Sequence, residues 1–201
     1  MSLTPEPTDL PHAASADNAR AIAQTQAWLQ HAVIGLNLCP FAKAVVARQQ
    51  VRFVASGATE WEDLRSDLCR ELELLTKAGA EEIDTTLVVC TGALAEFDDF
   101  NDFLEVADDA VQVQGFEGTV QIASFHPHYR FEGTDSDDIT NATNRAPWPV
   151  LQLLREASIE RVLAKVDDPD AIYRANMQAM EALGESGWAA LSARWRSTHE
   201  A

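Results

Sequence analysis

Residues 85–90 read Thr-Thr-Leu-Val-Val-Cys, six residues without charge, glycine or proline, four of them branched at Cβ. A run of this length and composition is a β-strand, and the segments on either side decide what kind of sheet it joins. Upstream, Val-Arg-Phe-Val-Ala-Ser at 51–56 is a second short run of branched and aromatic residues, and downstream Thr-Val-Gln-Ile-Ala-Ser-Phe at 119–125 is a third. Between the first two, Trp61, Leu64, Leu68, Leu72 and Leu75 share one helical face; between the last two, Phe97, Phe100, Leu104, Ala107 and Val111 do the same. Parallel strands require a crossover, and such crossovers are right-handed. The alternation therefore predicts an α/β fold with a small, mainly parallel sheet of three or more strands (51–56, 85–90 and 120–125) and helices 59–78 and 97–114 packed on it.

Outside this unit the chain remains helical. Ile22, Thr25, Leu29, Val33 and Leu36 follow Asp17 at helical spacing, and the pattern stops at Asn37-Leu38-Cys39-Pro40, where proline suits the first turn of a new helix over about 40–48. After the third strand the chain turns polar and irregular through residues 133–144, Gly-Thr-Asp-Ser-Asp-Asp-Ile-Thr-Asn-Ala-Thr-Asn. Helices are expected again near 149–165 and over 169–184, the second capped by Asp168 and closed by Gly184. Three prolines in the first eleven residues mark 1–16 as a disordered lead, leaving a single domain over 17–185 and a C-terminal helix or tail over 186–201.

Composition restricts the partners. The 201 residues carry 32 acidic against 15 basic side chains, a formal charge of −17 that repels nucleic-acid phosphates and anionic lipid headgroups. Nucleic acid and membranes are thus not expected as partners. Three cysteines, an odd number without close pairing, do not form a secreted disulfide framework, and no apolar stretch approaches the ~20 residues of a spanning helix, so a cytoplasmic protein is expected. Cofactor and oligomeric state stay open.

Ligands of open parallel sheets bind outside the carboxyl ends of the strands, which here are Ser56-Gly57, Thr91-Gly92 and Phe125-His126. The short helix after Cys39 is separated from the first strand by Gln49 and Gln50 alone and should run antiparallel to it. Cys39 then sits at a helix start on the same side as His126, where the dipole favours thiolate. That pair could act as nucleophile and general acid or base. The spacing His126-Pro127-His128 also suits two metal ligands, with Asp135 as a carboxylate donor, against the simpler alternative of backbone hydrogen bonding. Arg130 and Arg145 could clamp an anion with their planar forks or pair with nearby aspartates. Asn141, Thr143 and Asn144 could orient a ligand or cap a helix.

The stretches VIGLNLCPFAKAV at 33–45, FNDFLEVAD at 100–108 and QIASFHPHYRFEGTDSDDITNATNRAPWPVLQLLREASIERVL at 121–163 resemble the bacterial domain-of-unknown-function family 1415, with similarity over most of residues 20–185. The resemblance implies no established activity, substrate or cofactor. It brings forward Cys39-Pro40-Phe41, His126-Pro127, Tyr129, Asn141, Thr143, Asn144, Arg145 and Pro149 as pattern positions, adding Tyr129 to the candidate substrate-binding set. Two departures count: the family pattern has a residue other than histidine at His128, and a histidine where this chain has Gln152.

Two classes of function follow. One is a small-molecule enzyme with Cys39 and His126 as its reacting pair and Arg145, Asn141 and Asn144 holding an anionic substrate. The other is a noncatalytic binding module for an anionic metabolite or a protein partner. Metal-dependent hydrolysis through His126 and His128 is a third. A reactive Cys39 sharing a pocket with His126 favours the enzyme; a Cys39 out of reach of His126 favours the module.

Overall fold

The computed structural model describes residues 16–164, 168 and 170–197. The expected lead lies outside the described residues except for Ala16, which opens helix α1 (Ala16–Trp28); a π-helical segment, Leu29–Ile34, continues it. A short helix α2 (Ala42–Ala47) precedes strand β1 (Val51–Ser56), followed by α3 (Trp61–Lys77), β2 (Thr85–Cys90), α4 (Phe97–Val113) and β3 (Val120–Phe125). Then come a 3₁₀ segment (Ile139–Asn144), β4 (Val150–Arg155), α5 (Glu156–Leu163) and α6 (Asp170–Arg196). Gly184 interrupts α6 with φ 63° and ψ 175°, a backbone that glycine adopts without penalty.

The four strands form one sheet in the order β1-β2-β4-β3. β1 and β2 are parallel, from Val51 opposite Thr85 to Ser56 opposite Cys90. β4 runs antiparallel to both β2 and β3, so β2 and β3 point the same way without touching. The fold is α/β as expected, but the sheet is mixed and not mainly parallel, because residues 150–155 form a strand where a helix was expected. The cause is visible at β2, which is buried at every position. A central strand must pair its backbone groups on both edges, and β1 covers only one. Val150-Leu-Gln-Leu-Leu-Arg takes the second edge, and Pro147 and Pro149 keep the residues before them extended. The helix expected from 149 starts only at Glu156.

Strand alternation then sorts side chains onto two faces. Val54, Val88, Cys90, Leu151 and Leu153 face α3 and α4, meeting Leu64, Leu68, Leu72, Phe100 and Phe103. Ala55, Leu87, Val89 and Val150 face the other way, meeting Trp28, Leu29, Ala32 and Val33 of the α1 region and Trp195 of α6. Two carboxylates are buried in the first layer. Glu71 receives a bidentate pair from Arg52 at 2.7 and 2.9 Å. Asp67 accepts from Ser56 Oγ at 2.6 Å and from Arg70 at 2.9 Å.

The carboxyl ends of β1, β2 and β3 share one edge of the sheet, and there the backbone is tightly packed. Thr91 donates its N–H to Ser56 O at 2.8 Å, and a Cβ on Gly92 would lie 2.4 Å from the Gly57 carbonyl oxygen. The small residues at these strand ends let two turns approach each other.

Candidate functional site

His126 follows β3 directly and is wholly buried. Its backbone N–H donates to Asn144 O at 3.2 Å, while Asn144 Nδ2 donates to Ser124 O at 3.2 Å, fastening the 3₁₀ segment to the strand end. The ring lies against Phe97 and Phe100 of α4. Nε2 is 3.1 Å from Leu94 O, and the His128 backbone N–H donates to Nδ1 at 3.0 Å. A carbonyl only accepts and an amide N–H only donates, so this network assigns the neutral tautomer with the proton on Nε2. Burial holds the imidazole's pKa below its ordinary value. A second proton, on Nδ1, would also face the His128 N–H donor to donor.

Asn141 is also wholly buried, and both polar atoms of its side chain are engaged within the 131–141 loop. Oδ1 accepts from the Phe131 N–H at 2.9 Å and from Thr134 Oγ1 at 2.8 Å, and Nδ2 donates to Asp135 O at 2.9 Å. Thr143 Oγ1 donates to Thr140 O at 2.9 Å. Asp138 caps the 3₁₀ segment, accepting from the Thr140 N–H and hydroxyl, and those bonds lower its carboxyl pKa. These residues build the loop.

The loop in turn positions Arg145, which is half-buried. Nε donates to Tyr129 O at 3.3 Å and Nη2 to Ser136 O at 2.7 Å. Burial lowers its pKa, Asp138 pulling the other way. Among the described residues no carboxylate comes within ion-pair distance of Arg145, whereas Arg52, Arg65, Arg70, Arg130 and Arg174 all have one. Arg145 lines a cleft of about 370 Å³ with Glu96, Phe97, Asp98, Pro127, His128, Arg130 and Ser136. Exposed Arg130 stands over the Phe97 ring at 6.0 Å and reaches Asp98 at 3.8 Å. Tyr129 contributes mainly its backbone, its ring packing edge-on against Phe97 and Phe131.

The structure thus brings His126, Tyr129, Arg130, Asn141, Thr143, Asn144 and Arg145 into one region. Cys39 is not linked to them: half-buried, it packs with the second core cluster on the α1 side of the sheet, whereas His126 packs on the α4 side. The residue at the N-cap of α2 is Phe41, not Cys39, and the helix is only six residues long. Of the other thiols, Cys90 is buried, which pushes its pKa up to about 12, and Cys69 is half-buried, partial burial raising its pKa. Among the described residues no three His, Cys, Asp or Glu side chains converge to hold a metal ion. His126 has no ring nitrogen left to ligate. Sequence reasoning missed the buried Asp67 and Glu71, although both fall on the Leu64–Leu68–Leu72 face of α3.

Fold and site together describe an acidic α/β protein with a cleft near the strand ends that is lined by two arginines and two carboxylates. A family profile matches residues 20–190, and the chain belongs to that family, described as a protein of unknown function (DUF1415). No curated protein matches the chain. No solved structure matches it either. No helix among the described residues is long and apolar enough to cross a membrane.

Proposed function

We propose that this protein is a binding module for a small anionic molecule, held in the cleft beside the carboxyl ends of β2 and β3 with Arg145 as its anchor. One observation carries this: Arg145 is half-buried, two of its nitrogens are fixed by the Tyr129 and Ser136 carbonyls, and among the described residues no carboxylate touches it, Asp138 acting only from beyond ion-pair distance. Carbonyl dipoles orient a guanidinium without cancelling its charge, and a partly desolvated cation without a counter-ion attracts one. Arg130 and His128 at the rim supply further donors, and the cleft's volume suits a small metabolite.

Catalysis by Cys39 and His126 finds less support. A general base needs a free lone pair and a general acid a transferable proton; in His126 the lone pair accepts from His128 and the proton points at Leu94. The test is calorimetric titration of the full chain with phosphate and acetate, comparing wild type with Arg145→Ala and Arg145→Lys. Saturable binding to wild type, lost in Arg145→Ala and weakened in Arg145→Lys, is expected. Wild type that takes up neither anion, or an Arg145→Ala variant that binds as wild type does, overturns the reading.

A further inference from the structure

A second, smaller cavity of about 140 Å³ lies against the first, and Pro127 and Arg145 line both. Its remaining wall is mixed: Ala146 and Pro147 from the chain leaving the 3₁₀ segment and Trp188 and Trp195 from the last stretch of α6 supply apolar and aromatic surface, and Gln24, Ser192 and Arg196 supply polar groups. The two indoles meet edge-on, with ring centroids 5.6 Å apart and planes at 62°. Edge-to-face indoles form a corner, which offers one ring face and one ring edge to a planar guest.

The guanidinium thus borders two chambers of different chemistry. The outer one is wide and charged. The inner one has the size of an apolar cavity that admits benzene, about 150 Å³. Apolar burial and ring stacking reward an aromatic group there, and a carboxylate attached to that ring would reach the shared Arg145. A phosphate or acetate alone would satisfy the arginine and leave the inner cavity unused.

We infer that the ligand is an aromatic carboxylate, its anionic group on Arg145 and its ring in the corner formed by Trp188 and Trp195. This rests on the anion-binding reading above and adds the ligand's class and orientation. Both indoles line the cavity, Trp188 half-buried and Trp195 nearly fully buried. Ser192 Oγ donates to Ala189 O within the helix, and Gln24 Oε1 accepts from Trp148 Nε1 at 2.8 Å. The Ser192 lone pairs and the Gln24 amide N–H groups are then left to meet a ring substituent, so a hydroxyl on the ring is tolerated.

The experiment titrates the full-length protein with benzoate, cyclohexanecarboxylate and acetate, following calorimetry and tryptophan fluorescence. Expected are benzoate binding at least about tenfold tighter than acetate, cyclohexanecarboxylate falling between them, and a tryptophan signal for the ring acids only. Ala146→Leu, which adds bulk at a cavity wall, should reduce benzoate to the acetate level while leaving acetate unchanged. Trp188→Ala should do the same, and Trp188→Phe should retain most of the preference; circular dichroism reports whether each variant is folded. If benzoate binds no tighter than acetate, or if folded Ala146→Leu and Trp188→Ala leave its affinity within twofold, the aromatic assignment is wrong, while Arg145-dependent acetate binding keeps the anion site intact. If none of the three acids binds, both readings fall.

Discussion

Leu94 holds its backbone at φ 64° and presents its carbonyl oxygen 3.1 Å from Nε2 of His126. A left-handed leucine costs roughly 1–2 kcal/mol, and here that conformation serves to tie the turn after β2 to the turn after β3. The bond beside it, from the His128 N–H to Nδ1, requires a neutral imidazole, which makes the junction sensitive to acid.

The first expected outcome is a pH dependence. Burial lowers the pKa of His126 in the folded protein, so the unfolded chain, titrating near the ordinary value of about 6.5, takes up a proton first. The His126 contribution is therefore complete above pH ~6.5 and is lost as pH falls towards the folded value. Of the facing charges, protonated His128 adds to this loss and Glu96 opposes it. Urea unfolding at pH 7.5 and 5.5 should show a smaller difference in His126→Gln than in wild type, with His128→Gln as control. Equal differences in wild type and His126→Gln would remove the imidazole from the account.

Asn141 joins Phe131, Thr134 and Asp135 through its amide, so its removal should be felt without any ligand. Asn141→Ala is expected to lower stability by at least about 1–3 kcal/mol, the cost of leaving a buried donor or acceptor unmet. Thermal unfolding in plain buffer measures this. An unchanged midpoint would return Asn141 to the ligand-contacting set.

Arg52 and Glu71 form a bidentate pair in which the carboxylate is only 2% exposed. Breaking one side should cost more than replacing both. Arg52→Met is expected to destabilise by about 3–5 kcal/mol, and the double variant Arg52→Met/Glu71→Leu to recover a large part of that. A double variant no more stable than the single one would show that the pair contributes net stability.

At Gly92 an added methyl would have to displace the Gly57 and Ala58 carbonyl oxygens, 2.4 and 2.6 Å from its position. Gly92→Ala should therefore cost about 1–3 kcal/mol through a forced backbone shift. Differential scanning calorimetry measures the loss, and a neutral result would mean that the two turns are free to separate.

Much of this architecture is legible in the sequence where a segment's own pattern decides its state. Thr85–Cys90, Val51–Ser56 and Val120–Phe125 are short, branched and bounded by turns, and the stripes of α3 and α4 have the period of a helix. β4 is different. Val150–Arg155 runs straight into α5, so its leucines read as the first turns of one longer helix, and only the open edge of β2, a tertiary fact, makes it a strand. The same limit applies to the site. The types of residue around 126–145 announce a polar cluster, but whether His126 serves chemistry or the backbone depends on Leu94, thirty-two residues away. Asp67 and Glu71 were hidden by the assumption that acidic positions of an amphipathic helix face water, which Arg52 and Ser56 on the strand opposite overturn.

The place of β4 in the sheet has a consequence for how the protein is made. Among the described residues β3 has no strand neighbour other than β4, and β2 has only β1 until β4 arrives. When Cys90 has left the ribosome, roughly sixty more residues must follow before Val150 to Arg155 can pair, about 3–12 s at roughly 5–20 residues per second. Throughout that interval the apolar ladder of Thr85–Cys90 has an unsatisfied edge, a template for another chain. The nascent protein thus depends on late closure by a strand laid between two earlier ones, and slow translation or premature termination before residue 150 would favour aggregation over a partly working fold.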